Sequence, residues 1–292
     1  MNDTKPSVLR RILGVCAIVL GIASGAAGPS AASQDTSASP WDETPYGRAR
    51  LVAGAASSDP GAPLIVGVEI DLKPGWKTYW RVPGEAGVPP LFDFSGSLNL
   101  KQATVQWPVP RRYRDQYGET IGYKNNVVFP VALMPADAGK PVVARLELAY
   151  ATCREICVPI QSRLSLEVSR SSLRRSPHAT AVASNQALVP DIGGPQKSGP
   201  VRSIRVVGTK ENARLLIELE DDAITAPAEI FVEGPEEYYF GAPTAETPKP
   251  GAGRRFAVPV DGLRDAAALS GKKLTLTIVA GDKRLQQGWV ME

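Results

Sequence analysis

Val142-Val-Ala-Arg-Leu-Glu-Leu-Ala-Tyr-Ala-Thr-Cys153 and Cys157-Val-Pro-Ile-Gln-Ser-Arg-Leu-Ser-Leu-Glu-Val168 read as two strands joined by Arg154-Glu-Ile156. Even positions are apolar on the way in, at Val142, Ala144, Leu146, Leu148 and Tyr150. They are apolar again on the way out, at Val158, Ile160, Leu164, Leu166 and Val168, while Arg145, Glu147, Gln161 and Arg163 are odd. A period of two marks a half-buried strand, so the stretch is expected to be an antiparallel hairpin with its even face on a core. Cys153 and Cys157 are both odd, and an unbroken pleat turns both thiols to the side away from that core. Residues flanking such a loop face each other at about 4.5–5.5 Å between Cα atoms, which a disulfide can bridge.

Working outward, the same signal recurs. Leu64-Ile-Val-Gly-Val-Glu-Ile-Asp-Leu72 alternates, Lys73-Pro-Gly75 turns, and Trp76-Lys-Thr-Tyr-Trp80 follows as an aromatic strand whose rings are read as core. Leu91–Phe94, Ala103–Trp107 and Val127–Met134 also read as strands. Arg81–Pro90 reads as a shaped Gly/Pro loop, and Pro108–Tyr123 as a long polar excursion with Arg111, Arg112 and Arg114 on a solvated face. Residues 171–202 change to Ser, Arg, Pro and Gly, with Ser176-Pro177 starting a short helix. Strand signals then return at Ser203–Val207, Arg214–Leu219, Glu229–Val232, Arg254–Val260, Lys273–Val279 and Arg284–Val290. The expected fold is all-β. Two immunoglobulin-like β-sandwich domains, 45–170 and 203–292, are joined by a linker with a short helix.

Composition narrows the function. The chain has 292 residues, 43% hydrophobic and 22% charged, with 26 prolines, a formal charge of +3 and one histidine, His178. So small a charge argues against a nucleic-acid partner, and one histidine argues against a Ser-His-Asp triad or a histidine metal site. Residues 1–32 have the parts of a cleaved signal peptide: basic Arg10-Arg11, apolar Ile12–Ile22, then a small-residue zone. A disordered lead-in is expected over 33–44. Export would put the protein in a compartment where disulfides can form.

The cysteine pair admits three readings: a redox dithiol, a structural disulfide, or a metal site. Closing so short a loop restrains the unfolded chain by only about 2 kcal/mol, against roughly 4.7 for a hundred-residue loop. That makes a weak staple. Two thiolates without histidine make a poor zinc site, and neither a metal nor another cofactor is expected. An outward, closely spaced pair suits reversible exchange.

Several stretches in one order carry a family resemblance. They are Lys73-Pro-Gly-Trp-Lys-Thr-Tyr-Trp-Arg-Val-Pro-Gly-Glu-Ala-Gly-Val-Pro-Pro90, Gln106-Trp-Pro-Val-Pro110, Tyr117-Gly118, Val128-Phe-Pro-Val131 and Cys153-Arg-Glu-Ile-Cys-Val-Pro159. With these, residues 41–170 resemble the N-terminal periplasmic domain of the DsbD thiol:disulfide interchange family, in the form found in ScsB-type (suppressor of copper sensitivity) proteins. The resemblance implies an immunoglobulin-like fold and a redox pair at Cys153 and Cys157. It also implies a thiol–disulfide oxidoreductase of the protein-disulfide reductase type. Such a domain relays reducing equivalents from a membrane donor to periplasmic thioredoxin-fold proteins, as in cytochrome c maturation or disulfide isomerase reduction. A cap loop over the cysteines is implied around Arg114–Gly118. Gln116 stands where DsbD proper has an aromatic shield, so shielding is expected from Tyr113 or Tyr117, beside Gly118. The membrane thiol-reductant transporter is expected to be a separate protein, and the chain a monomer. The alternative is a non-enzymatic periplasmic binding or scaffold module with a structural disulfide.

Overall fold

The computed structural model describes residues 1–2, 36–55, 57, 59, 61–85, 87–116, 118–193, 199–220, 227–246 and 254–292. The expected leader lies almost wholly outside these residues, as do Cys16 and Tyr117. Among the described residues no helix is long and apolar enough to cross a membrane.

Alternating sequence becomes strand wherever it was expected, and in a few further places. The chain begins with β1 (Asp42–Thr44), β2 (Gly47–Ala53), β3 (Leu64–Leu72), β4 (Lys77–Gly84) and β5 (Leu91–Asp93). It continues with β6 (Leu100–Val105), β7 (Arg111–Asp115), β8 (Gly118–Lys124) and β9 (Asn126–Pro135). The hairpin β10 (Val142–Cys153) and β11 (Cys157–Val168) completes the first sandwich. Its sheets run β1-β2-β3-β9-β6 and β11-β10-β4-β8-β7, with β5 paired to β10. Leu64, Val66, Val68, Ile70 and Leu72 from β3 meet Val142, Ala144, Leu146, Leu148 and Tyr150 from β10 in one buried core, as the alternation requires.

Two expectations fail here. Residues 36–44, read as a disordered lead-in, are ordered. The Ala53 N–H donates to the Ser37 carbonyl (2.7 Å), the Leu51 N–H donates to Ser39 Oγ (2.9 Å), and β1 pairs with β2. Small hydroxyl residues supply what an open sheet edge needs, namely acceptors for its unpaired N–H groups. Pro108–Tyr123, read as a polar excursion, folds largely into the β7–β8 hairpin, in register from Arg111↔Gly122 to Asp115↔Gly118. Its charged side chains hid the alternation.

The helices α1 (Arg170–Leu173) and α2 (Ala179–Gln186) follow. The second sandwich holds β12 (Asp191–Ile192), β13 (Val201–Val207), β14 (Arg214–Leu219), β15 (Ala228–Glu233) and β16 (Tyr239–Phe240). It ends with β17 (Thr244–Ala245), β18 (Arg254–Asp261), β19 (Lys273–Ala280) and β20 (Lys283–Val290). Its sheets are ordered β12-β20-β19-β15 and β13-β14-β18-β16, with β17 on β18, around Leu215, Ile217, Ile230, Val258, Leu276 and Ile278.

Thr36–Glu292 form one compact unit, and the two sandwiches touch through specific side chains. Between Tyr79 and Gly84 the register of β4 on β8 slips, a bulge that includes Pro83, which has no N–H to donate. Within this bulge Arg81 donates twice to Glu233, Nε–Oε2 and Nη2–Oε1 both at 2.7 Å. Phe231 packs on Trp80 with ring centroids 5.6 Å apart. Arg112, expected on a solvated face, is partly buried instead, with its side chain 12% exposed. It pairs with Glu119 and Glu229 and donates from Nη2 to the Ile230 carbonyl at 2.8 Å. Tyr239 donates to Glu119 as well (3.2 Å).

Candidate functional site

The β10–β11 hairpin pairs without interruption from Val142↔Val168 to Cys153↔Cys157. At its tip the two cysteines form a disulfide with a Cα–Cα distance of 4.2 Å. The Arg154 N–H donates to the Ile156 carbonyl (3.1 Å), closing the expected three-residue loop. Because the even residues are held in the core, the register cannot slip, and the odd cysteines stay on the opposite face.

Facing away from the core does not make both sulfurs accessible. Cys157 is exposed, whereas only 2% of Cys153 is accessible. The expectation of two outward, open thiols is therefore corrected for Cys153. At its end β10 is an interior strand, with Cys153 directly opposite Lys77 of β4, while Cys157 lies on the edge strand β11. A second layer covers the interior position.

That layer is Tyr79. Trp80 enters the main core, and its neighbour Tyr79 points the other way, into a small buried cluster with Ala151 and Cys153. The Tyr79 hydroxyl lies 2.6 Å from Cys153 Sγ and 3.2 Å from Cys157 Sγ. Bonded sulfurs carry no hydrogen, so the phenol is the donor. Against the ring lies the backbone of Gly87 at φ +140°, where an added Cβ would sit 2.2 Å from Tyr79 Cε1. Burial pushes the Tyr79 phenol above its ordinary value, and the negative charge of Asp115 pushes it further the same way, so it remains a protonated donor.

Tyr79 is the site residue that sequence reading misplaced, as core. The signal was present. In Trp76-Lys-Thr-Tyr-Trp80 the two tryptophans share one face, which leaves Lys77 and Tyr79 on the other. The expected cap residues lie differently. Gln116 is exposed at the β7–β8 turn and Tyr117 is outside the described residues. Gly118, at φ +115°, lies against Glu85, whose Oε2 is 2.3 Å from where a Cβ would be. The Tyr113 ring sits beneath Lys124, 4.3 Å from Nζ to centroid. Among the described residues, the hydroxyl that reaches the sulfurs is that of Tyr79, and the loop that covers it runs through Gly87.

The β7–β8 hairpin still contributes, through charge. Lys77 Nζ donates to Asp115 Oδ2 (2.7 Å) and to Thr120 Oγ1 (3.0 Å), tying β7 and β8 to the strand beside Cys153. Among the described residues no cluster of three His, Cys, Asp or Glu could hold a metal ion.

The family model for the thiol:disulfide interchange protein DsbD, N-terminal, matches residues 50–169, and one for a domain of unknown function, DUF8393, matches residues 188–291. Among solved structures, the N-terminal periplasmic domain of ScsB from Proteus mirabilis superposes with a TM-score of 0.64 at 24% identity, over 87% of this chain and 98% of that one. At that identity the likeness speaks for the fold. No curated protein sequence matches the chain. Residues 50–169 thus match the DsbD N-terminal family, and the two-sandwich chain shares its fold with the N-terminal periplasmic domain of ScsB.

Proposed function

We propose that the protein is a periplasmic thiol–disulfide exchange protein that relays reducing equivalents through Cys153 and Cys157, from a membrane thiol reductant to thioredoxin-fold partners. One observation carries the reading: the two cysteines of a single disulfide differ in access, with Cys157 exposed and Cys153 buried beneath Tyr79. An incoming thiolate can reach Cys157 Sγ. A bond forms between the attacking sulfur and Cys157 Sγ, the Cys153–Cys157 bond breaks, and the electron pair leaves on Cys153 Sγ. The Tyr79 phenol, already 2.6 Å away, donates to that thiolate. The donor's second thiolate then attacks its own sulfur in the mixed disulfide, releasing Cys157 as a thiolate. Two electrons and two protons have entered the pair. Delivery runs in the same order: Cys157 attacks the acceptor disulfide and Cys153 resolves the mixed disulfide. The export expected from residues 1–32 supports the compartment, and the family match supports the class of chemistry.

Trapping tests the reading. Cys153→Ala leaves the open thiol without its resolving partner and is expected to accumulate a mixed disulfide with a thioredoxin-fold protein, whereas Cys157→Ala accumulates none. Absence of any adduct with Cys153→Ala, together with a reduction potential below about −300 mV, would instead mark a structural disulfide on a scaffold module.

A further inference from the structure

We propose that the buried ammonium of Lys77 sets the acidity of the Cys153 thiol, stabilising Cys153 as the thiolate that leaves when Cys157 is attacked, with Asp115 as the counter-ion that moderates it. The proposal deepens the exchange reading above and rests on Cys153 and Cys157 being a working pair.

Lysines are almost never buried unless paired, since removing an ammonium from water is costly. Yet the Lys77 side chain is only 8% exposed, on the outer face of a strand where the fold does not call for a charge. Its position is specific. Lys77 is the register partner of Cys153, so the two side chains rise from the same face, with Cβ atoms about 4.5–5.5 Å apart. The ammonium has three N–H groups. Asp115 Oδ2 and Thr120 Oγ1 accept from it, holding it within the covered layer. The Asp115 charge acts on Tyr79, whose hydroxyl touches both sulfurs.

The remaining charges around the pair are exposed or engaged elsewhere. Arg154 and Glu155 lie at the hairpin turn with side chains 53% and 76% exposed, where solvent screens them. Glu85 lies beside Gly118, Glu119 pairs with Arg112 and Arg114, and Lys124 sits over Tyr113. Lys77 is therefore the buried charge beside Cys153, and Asp115, with its side chain 36% exposed, is the carboxylate on its ammonium. When the disulfide opens, Cys153 is the buried sulfur that acquires charge. An ammonium across the strand lowers the cost of that charge and a carboxylate raises it. A stabilised thiolate favours the reduced form, so Lys77 makes the pair easier to reduce and Asp115 makes it harder.

The test uses the reduced full chain. In a Cys157→Ser background, ultraviolet thiolate absorbance is titrated against pH for Cys153. Lys77→Met is expected to cut the thiolate fraction at a given pH about tenfold, and Asp115→Asn to raise it about as much, for unit charges acting across a half-screened layer. Lys77→Arg keeps the charge and should stay close to the parent. In the two-cysteine protein, equilibration with glutathione should move the disulfide equilibrium in matching directions, each tenfold step being about 30 mV. Opposite signs for the two substitutions are the signature, because simple structural damage would move both the same way. Shifts of the same sign, or no shift in either variant, overturn the proposal. If Lys77→Met does not fold, Asp115→Asn and Lys77→Arg still decide it. The titration needs no partner, so its outcome is separate from the trapping result that decides the relay.

Discussion

Gly87→Ala puts the cover over the disulfide to a direct test. Gly87 adopts φ +140°, and an added Cβ would fall 2.2, 2.5 and 2.7 Å from Cε1, Cδ1 and Cζ of Tyr79. Contacts that short do not occur between carbon atoms, so something must move. Holding an alanine at this φ costs about 1–3 kcal/mol. Forcing a methyl against a packed ring costs about 1–3 kcal/mol more, unless the segment relaxes. The segment has a way to relax, by lifting off Tyr79, which converts part of the cost into local opening. Each 1.4 kcal/mol or so of opening free energy is a tenfold change in population. The expected result is a loss of about 2 kcal/mol in urea-measured stability and reduction of the disulfide by dithiothreitol about tenfold faster. The assays are a urea titration followed by tryptophan fluorescence and a reduction time course followed by thiol labelling of Cys153. A variant with parental stability and parental reduction rate would refute the reasoning, since Gly87 could then not be what holds Tyr79 against the sulfurs.

Two further perturbations address the frame around the site. Arg112→Ala leaves the Glu119 carboxylate, only 4% exposed, with Arg114 and Tyr239 but without its buried guanidinium. Stability should fall by about 3–5 kcal/mol by chemical denaturation, and a loss under about 1 kcal/mol would mean the network behaves as a surface ion pair. The phenols of Tyr79, Tyr123, Tyr150 and Tyr239 are all pushed above their ordinary value of 10.0 chiefly by burial, Tyr150 to about 12. In the folded state they keep protons that the unfolded chain releases, so their contribution to stability is complete below pH 10 and is lost as pH rises through the folded values. Thermal unfolding should move steeply downward above about pH 10, with phenolate absorbance appearing together with loss of near-ultraviolet dichroism. Phenols that ionise near pH 10 with the fold intact would contradict the burial assigned to them.

Local features are legible along the chain, and the limits follow from the same physics. Alternation over Leu64–Leu72 and Val142–Val168 depends only on backbone geometry and on which side chains avoid water, so strands, faces and the hairpin tip can be located from it alone. Alternation fails as a guide at Arg111–Asp115, where arginines with buried partners look like those of a solvated loop. Arg112 is inside because Glu119 and Glu229 neutralise it and Ile230 accepts from it, and two of those three lie more than a hundred residues away in sequence. The small polar residues of 36–44 mislead for a related reason: a serine hydroxyl is equally at home in water and on a sheet edge.

By itself the sequence determined the hairpin, the pairing of Cys153 with Cys157 across its loop, the side on which both sulfurs lie, and the likeness to the DsbD family. Parity along a strand is a local property, settled residue by residue. Access is not local. Whether a sulfur facing away from the core meets solvent depends on which strand lies beside it and what that strand carries, and only the tertiary structure, through β4 and the Gly87 backbone, decided that. It placed Tyr79 on the disulfide, set Lys77 opposite Cys153, and left Cys157 open at the edge. Non-local strand pairing left one cysteine buried and the other exposed, and that difference is what the proposed exchange would use.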